Sequence, residues 1–525
     1  MEARPAIPLR NERVSPWSLL LLALVILSQV APQLGLHGAL SRRLGLSSTS
    51  SAAARRVDVK DILQIDFEAK TAYANDYAAR LGIKQPELFQ KMLEHAIDDA
   101  EDQLRDYPSD LSVARRLMIL RAELGRQPLM AVSADRHRRA VGPPLAAFDA
   151  ASPDQAREAN LWRALYTHRI LPHPSDASAL ASEIKRQPTL GWYRYLALHQ
   201  VWLRSGDFVR AGDAQDLACR GAIGSIVPLT GLYVVVLLVG LAGVTLLVSL
   251  GVRSFLIKSG EQGANLGLLN TLAVPLPEPV VPAQRRLGAG DLFNLFVVCM
   301  VLFALISRAI EYGATQFLFP QAFAALTSTA RVNAVVDMVS ASQLATTLVA
   351  AAILLWQARL RGWTILSEIG LNFRGAGKNV LAGVAGWGIA LPMIYLGAAL
   401  ASHLFPNTPD PSNPAIDLTI KSSGLMARAA LFVTICVLAP IFEETMFRGL
   451  FYQAARAKIG IWPAIVLTGI VFGLVHPVSI VGSIPLMLLG SVFAWLAETR
   501  KSLLPGMVAH GLQNLLSFLS MLFLS

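Results

Sequence analysis

Long apolar segments follow one another through the second half of this chain and constrain its fold more than any other feature. A helix of about 20 apolar residues crosses the ~30 Å hydrocarbon core of a bilayer. Eight segments of this kind follow Arg220: 226–250, 291–311, 335–356, 380–403, 426–456, 461–477, 480–497 and 503–524. With a further segment at 17–36, the sequence predicts an all-α, polytopic helical membrane protein with about nine transmembrane helices.

The first apolar segment, 17–36, follows Arg4, Arg10 and Arg13. This charge pattern also fits a cleavable signal peptide, which is the alternative interpretation. No clean small-x-small cleavage site follows the segment, so a retained anchor is favoured. Either interpretation exports the residues that follow.

Residues 37–224 differ in composition from the rest of the chain and predict an inserted soluble α-helical domain. Roughly two thirds of the acidic residues lie here, and no stretch is apolar enough to cross a membrane. Apolar residues recur at helical spacing. The predicted helices are 61–81, 86–107, 111–124, 154–171 and 191–205. The segments 192–205 and 206–214 resemble two halves of a helical hairpin, but no fixed period supports a helical repeat. The histidines of this region are isolated and are interpreted as surface or packing residues.

Basic residues concentrate in alternate loops of the membrane part, which predicts its orientation. Lys and Arg are enriched in cytoplasmic loops, and they cluster here at 253–286, 359–378, 456–458 and 500–501. The orientation that agrees with these loops places the N-terminus in the cytoplasm and residues 37–224 outside it. The protein is predicted to lie in the cell membrane. The predicted domains are an N-terminus with its anchor (1–36), the exported domain (37–224), accessory transmembrane helices (225–379) and a catalytic domain (380–525).

The formal net charge of +10 does not indicate a nucleic-acid partner, because the basic residues are dispersed and no zinc-ligand spacing or aromatic box accompanies them. Three scattered cysteines likewise exclude a disulfide framework. The lipid bilayer is the first predicted partner.

Polar and ionisable side chains gather inside the last apolar segments. Such groups are costly in hydrocarbon and therefore mark functional sites. They are Glu443, Glu444, Arg448, His476, His510 and Asn514.

The spacing of the two glutamates predicts different roles for them. Glu444 and Arg448 are four residues apart, in the favourable order for an ion pair on one helix face, whereas Glu443 points about 100° away. His476 lies about as many residues after the turn near 458–461 as Glu443 lies before it. Antiparallel neighbouring helices would therefore bring His476 and Glu443 to one depth.

His510 and Asn514 are also four residues apart and present two polar groups on one helix face. Hydrogen bonding between helices is the alternative explanation for such a pair.

Three motifs in this order resemble a known family. Glu-Glu-x-x-x-Arg (443–448), Phe-x-x-x-His (472–476) and His-x-x-x-Asn (510–514) resemble the CAAX protease and bacteriocin-processing family, which includes the Ras-converting CAAX prenyl protease. The resemblance runs from about 429 to 518. It implies an all-helical intramembrane endopeptidase.

The same resemblance implies the roles of the site residues. Glu443 and His476 would activate water, and His510 and Asn514 would stabilise the oxyanion. Glu444 and Arg448 would support the site structurally.

The chemistry of peptide hydrolysis agrees with these roles, since it needs a general base and donors aimed at the developing oxyanion. Thr445 is the only hydroxyl in the first motif, and its phase on the helix makes it a poor nucleophile. No cofactor is required by this mechanism. Zinc is the alternative cofactor, with His476, His510 and Glu443 as its ligands; no His-Glu-x-x-His motif is present.

Two other functional classes compete with a protease: a transporter, and a catalytically silent membrane scaffold with an exported interaction domain. The charged groups form one cluster instead of a path, and all four predicted catalytic residues are present, which favours the enzyme. The predicted partners are a peptide or membrane-protein substrate, prenylated or not, and an envelope component for the exported domain.

Overall fold

The computed structural model describes residues 15–16, 18–23, 59–80, 86–107, 110–124, 160–162, 165, 174–187, 190–258, 287–313, 328–405, 419, 422, 424–476, 478 and 480–524. All regular elements in these ranges are helices, which confirms the predicted all-α class. The helices divide into two compact units, one within Ser48–Leu232 and the other within Tyr233–Leu519, and the boundary falls inside a helix.

Five helices precede that boundary helix: α1 (Val59–Arg80), α2 (Pro86–Asp106), α3 (Leu111–Glu123), α4 (Pro174–Arg186) and α5 (Tyr193–Arg204). α1, α2, α3 and α5 match predicted helices to within two residues at each end. The predicted helix at 154–171 lies largely outside the described residues. Helix α4 was not predicted.

Aromatic residues form the core of this first unit. Tyr73, Trp162 and Trp192 are buried, and Trp192 Nε1 donates to the Ala218 carbonyl at 2.8 Å. The partly buried Arg116 donates through two nitrogens to Asp66, at 2.6 and 2.8 Å. The unit is therefore a helical bundle with its own apolar core and an internal ion pair.

The remaining helices are α6 (Phe208–Lys258), α7 (Ala289–Tyr312), α8 (Ser328–Arg361), α9 (Thr364–Glu368), α10 (Ala376–Leu404), α11 (Leu425–Ile459), α12 (Ile461–Leu474), α13 (Ile480–Arg500) and α14 (Leu504–Leu524). Helix α6 extends further than the sequence indicated. From Phe208, residues of the predicted segment 206–214 begin the 51-residue helix that also contains the apolar segment 226–250.

Seven of these helices are long and apolar enough to cross a membrane: α6, α7, α8, α10, α11, α13 and α14. The protein is therefore a multi-pass membrane protein, as predicted. The count of nine is not reached within the described residues. The predicted span 461–477 corresponds to α12, which has only 14 residues, and most of the segment 17–36 lies outside the described residues.

Helices α6 and α10 touch through their backbones. A Cβ atom placed on Gly243 would lie 2.0 Å from the Gly388 carbonyl oxygen, so neither helix could keep its place. Small residues allow such close approach between membrane helices. Gly243 is thus required by the packing of α6.

Gly243→Ala should lower the melting temperature of the detergent-solubilised protein, because a backbone atom cannot move aside for the new methyl group. Gly231→Ala on the same helix is the matched control, since nothing lies within 4 Å of its Cβ position. Equal melting temperatures for the two variants would contradict the close contact between α6 and α10.

Candidate active site

The Glu444 and Arg448 side chains form a buried ion pair on α11. Arg448 Nη1 donates to Glu444 Oε1 at 2.9 Å, and neither side chain has any exposed surface. Arg448 Nη2 donates to the Gly490 carbonyl of α13 at 2.8 Å. The pair predicted from the spacing of four residues is present, and it also ties α11 to α13.

Phenylalanine rings enclose the guanidinium of Arg448. Its Cζ lies 4.4 Å from the ring centre of Phe472 and 5.1 Å from that of Phe493. A cation over an aromatic face is attracted by the ring, most strongly where water is excluded. These two rings, on α12 and α13, therefore help to compensate for the burial of a charge inside an apolar layer.

Glu443 faces both histidines of the cluster. Its Oε2 lies 3.6 Å from His476 Nε2 and 3.8 Å from His510 Nε2. Within the described part of the chain this oxygen is buried and has no hydrogen-bond partner. The side chains of Glu443 and His476 are each about one fifth exposed, at 22% and 23%, so the groups that meet here remain accessible.

The second nitrogen of each histidine fixes the orientation of its ring. His476 Nδ1 lies 2.6 Å from the Phe472 carbonyl oxygen, so this nitrogen carries hydrogen and donates. His510 Nδ1 lies 3.1 Å from Glu444 Oε1 and donates to that carboxylate. We assign these tautomers from the acceptors present. Both Nε2 atoms are thereby directed at Glu443.

Asn514 lies one helical turn beyond His510 on α14 and contacts a different part of α11. Its Nδ2 donates to the Ile435 carbonyl at 2.8 Å. Ile435 belongs to a π-helical segment, Thr434–Leu438, and a second π segment, Thr445–Phe451, follows Glu444. Short π segments occur frequently at functional sites. One amide hydrogen of Asn514 is left for another acceptor.

Glycines that the sequence analysis did not single out bring the helices of the site together. A Cβ on Gly506 would lie 2.6 Å from Glu444 Oε2, and one on Gly469 would lie 2.4 Å from the Met487 carbonyl. Gly473 meets the Ser483 carbonyl at 2.7 Å in the same way. The spacing of four between Gly469 and Gly473 was a usable signal, because small-xxx-small patterns mark close helix contacts.

Two alternative chemistries can be compared with this geometry. Thr445 Oγ1 donates to the Ile441 carbonyl at 2.7 Å and is bound to its own helix, as a poor nucleophile would be. Among the residues that the structure describes, no three His, Cys, Asp or Glu side chains form a group that could hold a metal ion.

The comparison with protein families covers the helices that carry this cluster. Residues 425–516 match the family described as type II CAAX prenyl endopeptidase Rce1-like. The resemblance drawn from the three motifs is thereby confirmed for this part of the chain. The Rce1-like segment contains all six residues of the cluster, and its family supports a protease. No curated protein and no solved structure matches the chain.

The rest of the chain lies outside the Rce1-like segment. Helices α1 to α10 and the end of α14 have no counterpart in the match.

Proposed function

We propose that this protein is an intramembrane endopeptidase that hydrolyses peptide bonds of membrane-associated substrates with a glutamate-activated water. The observation that carries the proposal is the Glu443 Oε2 atom, buried and without a hydrogen-bond partner in the described residues, between two histidine Nε2 atoms at 3.6 and 3.8 Å. A water bound there would contact a carboxylate base and an imidazole together. General-base catalysis requires this proximity.

The two adjacent glutamates have different roles in this mechanism. Glu444 is held by Arg448 and His510, so its charge is compensated. Glu443 is not held by Arg448 and can accept a proton from water. His476, fixed through its Nδ1 by the Phe472 carbonyl, supports the same water.

His510 and Asn514 act as the oxyanion donors. They lie on one face of α14. Because His510 gives its Nδ1 hydrogen to Glu444, it donates through Nε2 in the imidazolium form, in which both ring nitrogens carry hydrogen. Asn514 keeps an amide hydrogen beyond the one given to Ile435. Preorganised donors of this kind stabilise the charge that develops on the carbonyl oxygen.

Asn514→Ala should lower the cleavage rate by about 100- to 1000-fold, or by less where His510 still donates, with little change in KM. The same substitution also removes the bond to Ile435, so melting in detergent is measured beside the rate. An unchanged kcat in a stable Asn514→Ala protein would remove this residue from the mechanism.

Exhaustive chelation should leave cleavage by the purified protein intact, because the proposed steps use carboxylate, imidazole and amide groups alone. Elemental analysis of the same sample accompanies the assay. Activity that disappears with the chelator and returns with added zinc would establish the zinc alternative, with His476, His510 and Glu443 as ligands, and would leave the protease assignment in place.

The proposal includes an orientation in the cell membrane. Residues 37–224 lie outside the cytoplasm, the N-terminus lies inside it, and the loop near Arg456 and Lys458 faces the cytoplasm. The support is the alternation of basic loops. An envelope component is proposed as partner of the exported domain. Cysteines introduced into helix α5 should react with a membrane-impermeant reagent from outside; reaction from the cytoplasmic side alone would reverse the topology.

The substrate can be found in cells. Peptide termini and membrane proteomes are compared between cells with the native protein and cells with a Glu443→Gln form. Termini that appear only with the native protein would identify the substrate and show whether it carries a prenyl group. Identical termini in both cells, at equal protein levels, would contradict the protease function.

A further inference from the structure

A segment outside the Rce1-like match forms hydrogen bonds with the turn that leads into α14. Leu503 N donates to the Gly370 carbonyl at 2.9 Å, and Asn372 Nδ2 donates to the Lys501 carbonyl at 2.9 Å. Ser502 Oγ donates to the Asn372 carbonyl at 3.2 Å. We call residues 369–379 the clasp segment, because their polar groups satisfy successive residues of the turn between α13 and α14.

The clasp segment reaches the end of α13 through a second set of bonds. Arg500 Nε donates to Asn379 Oδ1 at 3.1 Å, and Asn379 Nδ2 donates to the Arg374 carbonyl at 3.0 Å. Asn379 is fully buried and Arg500 is nearly so. Buried polar groups of this kind are costly to leave unpaired, which holds both partners in place.

The turn needs such external support because its backbone is unusual. Lys501 has φ of 50°, in the left-handed region that residues with a Cβ avoid. Conformations of this kind persist when the surroundings impose them. The clasp segment also needs a glycine where it contacts the turn. Gly370 has φ of 90°, and a Cβ there would lie 3.2 Å from Leu503 Cγ.

The turn lies within two helical turns of the candidate active site, so its position affects the side chains of that site. α14 begins at Leu504, and His510 lies six residues further, about 9 Å along the axis. Gly506 lies between them against Glu444, with no room even for a methyl group. A displacement of the turn would therefore change the contact of His510 Nδ1 with Glu444, now 3.1 Å.

We infer that the clasp segment positions His510, and that Asn372 is a positioning residue for the proposed reaction although it touches neither substrate nor the reacting atoms. This inference rests on the proposed function for its consequence in catalysis. The geometric part of the inference, that the clasp segment fixes the position of His510, rests only on the contacts described above. The catalytic unit thus extends upstream of the Rce1-like segment to residue 369.

Histidine NMR on the full-length protein in detergent tests the geometric part without any substrate. The chain has nine histidines, and labelling of their Cε1 carbons gives one resonance each. The His510 resonance is assigned from its loss in His510→Gln. Asn372→Ala should shift the His510 resonance, while those of His95 and His199 in the other unit stay in place.

Matched variants separate positioning from general damage. Asn294→Ala also removes a partner of one side-chain hydrogen bond in the membrane part. That bond, from Ser18 Oγ at 2.7 Å, does not involve the turn, so this variant should leave the His510 resonance unshifted. Asn372→Asp keeps the size and removes the amide donor, so it should reproduce the shift. Ser502→Ala is used if neither Asn372 variant folds.

With a cleavable peptide in hand, Asn372→Ala should lower kcat about tenfold or more and leave KM within about twofold, since misplacement of a catalytic group by 1 Å is costly. Any of three results would overturn the positioning role. These are an unshifted His510 resonance in Asn372→Ala, an equal shift in Asn294→Ala, and failure of Asn372→Ala, Asn372→Asp and Ser502→Ala all to fold. If the native protein cleaves nothing, the proposed function fails while the NMR comparison still decides the inference.

Discussion

Glu443→Gln should lower peptide cleavage by about 100- to 10,000-fold while the protein remains folded. Removal of a general base typically has this effect, and the amide that replaces the carboxylate cannot take a proton from water. Glu444, the second carboxylate of the cluster, cannot substitute, because it is engaged by Arg448 and His510. The measurement is the initial rate of purified protein in lipid nanodiscs on a peptide spanning an identified cleavage site.

Asp291→Asn is the matched control for that experiment. It makes the same change from carboxylate to amide in the same unit, at a residue whose partner is Arg361 at 2.6 Å and not a member of the cluster. Its rate per folded molecule should equal that of the native protein. A Glu443→Gln protein that keeps more than about a tenth of the native rate would contradict a role as the base.

Glu444→Gln should lower the free energy of unfolding by about 3 to 5 kcal/mol, which is the usual cost of removing one partner from a fully buried ion pair. Both side chains of this pair have 0% exposure. The remaining guanidinium would keep its contact with Gly490 and its aromatic neighbours but lose its counter-charge. Glu443→Gln should cost less, since its side chain is partly exposed and is not bound to Arg448.

Melting curves in one detergent, for both single variants and for Glu444→Gln with Arg448→Met, measure this difference. The double variant removes both charges and should lose less stability than the sum of the single variants. Equal stability of the two single glutamate variants would mean that the glutamates do not differ in structural role.

Relations within one helix, and depth along neighbouring helices, could be predicted from the sequence. The Glu444 and Arg448 pair follows from a spacing of four residues, and it is present at 2.9 Å. The meeting of Glu443 and His476 follows from counting residues on either side of a turn, and the two side chains lie 3.6 Å apart. Both arguments use only helix geometry.

Contacts that depend on how helices rotate against one another could not be predicted. The bond from His510 to Glu444 requires the phase of α14 relative to α11, and two π segments in α11 change that phase. The bond from Asn514 to Ile435 arises inside one of these segments. The importance of Gly506 appears only when the Glu444 carboxylate is seen beside it.

Helix α4 could have been predicted from the sequence. Its buried residues Ala177, Ala181 and Ile184 recur at spacings of four and three residues. Apolar and polar residues thus lie on opposite faces of the helix. This periodicity indicates an amphipathic helix and is the signal that could have located it.

The short helix α12 has a consequence for the surrounding lipid. Its 14 residues rise only about 21 Å against a hydrocarbon thickness of about 30 Å. A helix of this length is accommodated in a bilayer by local thinning or by water at its ends. His476 follows the last residue of α12, Leu474, by two positions. Under the proposed function, acyl-chain length should thus control how readily water enters to replace each molecule consumed in hydrolysis, and membrane thickness should affect turnover.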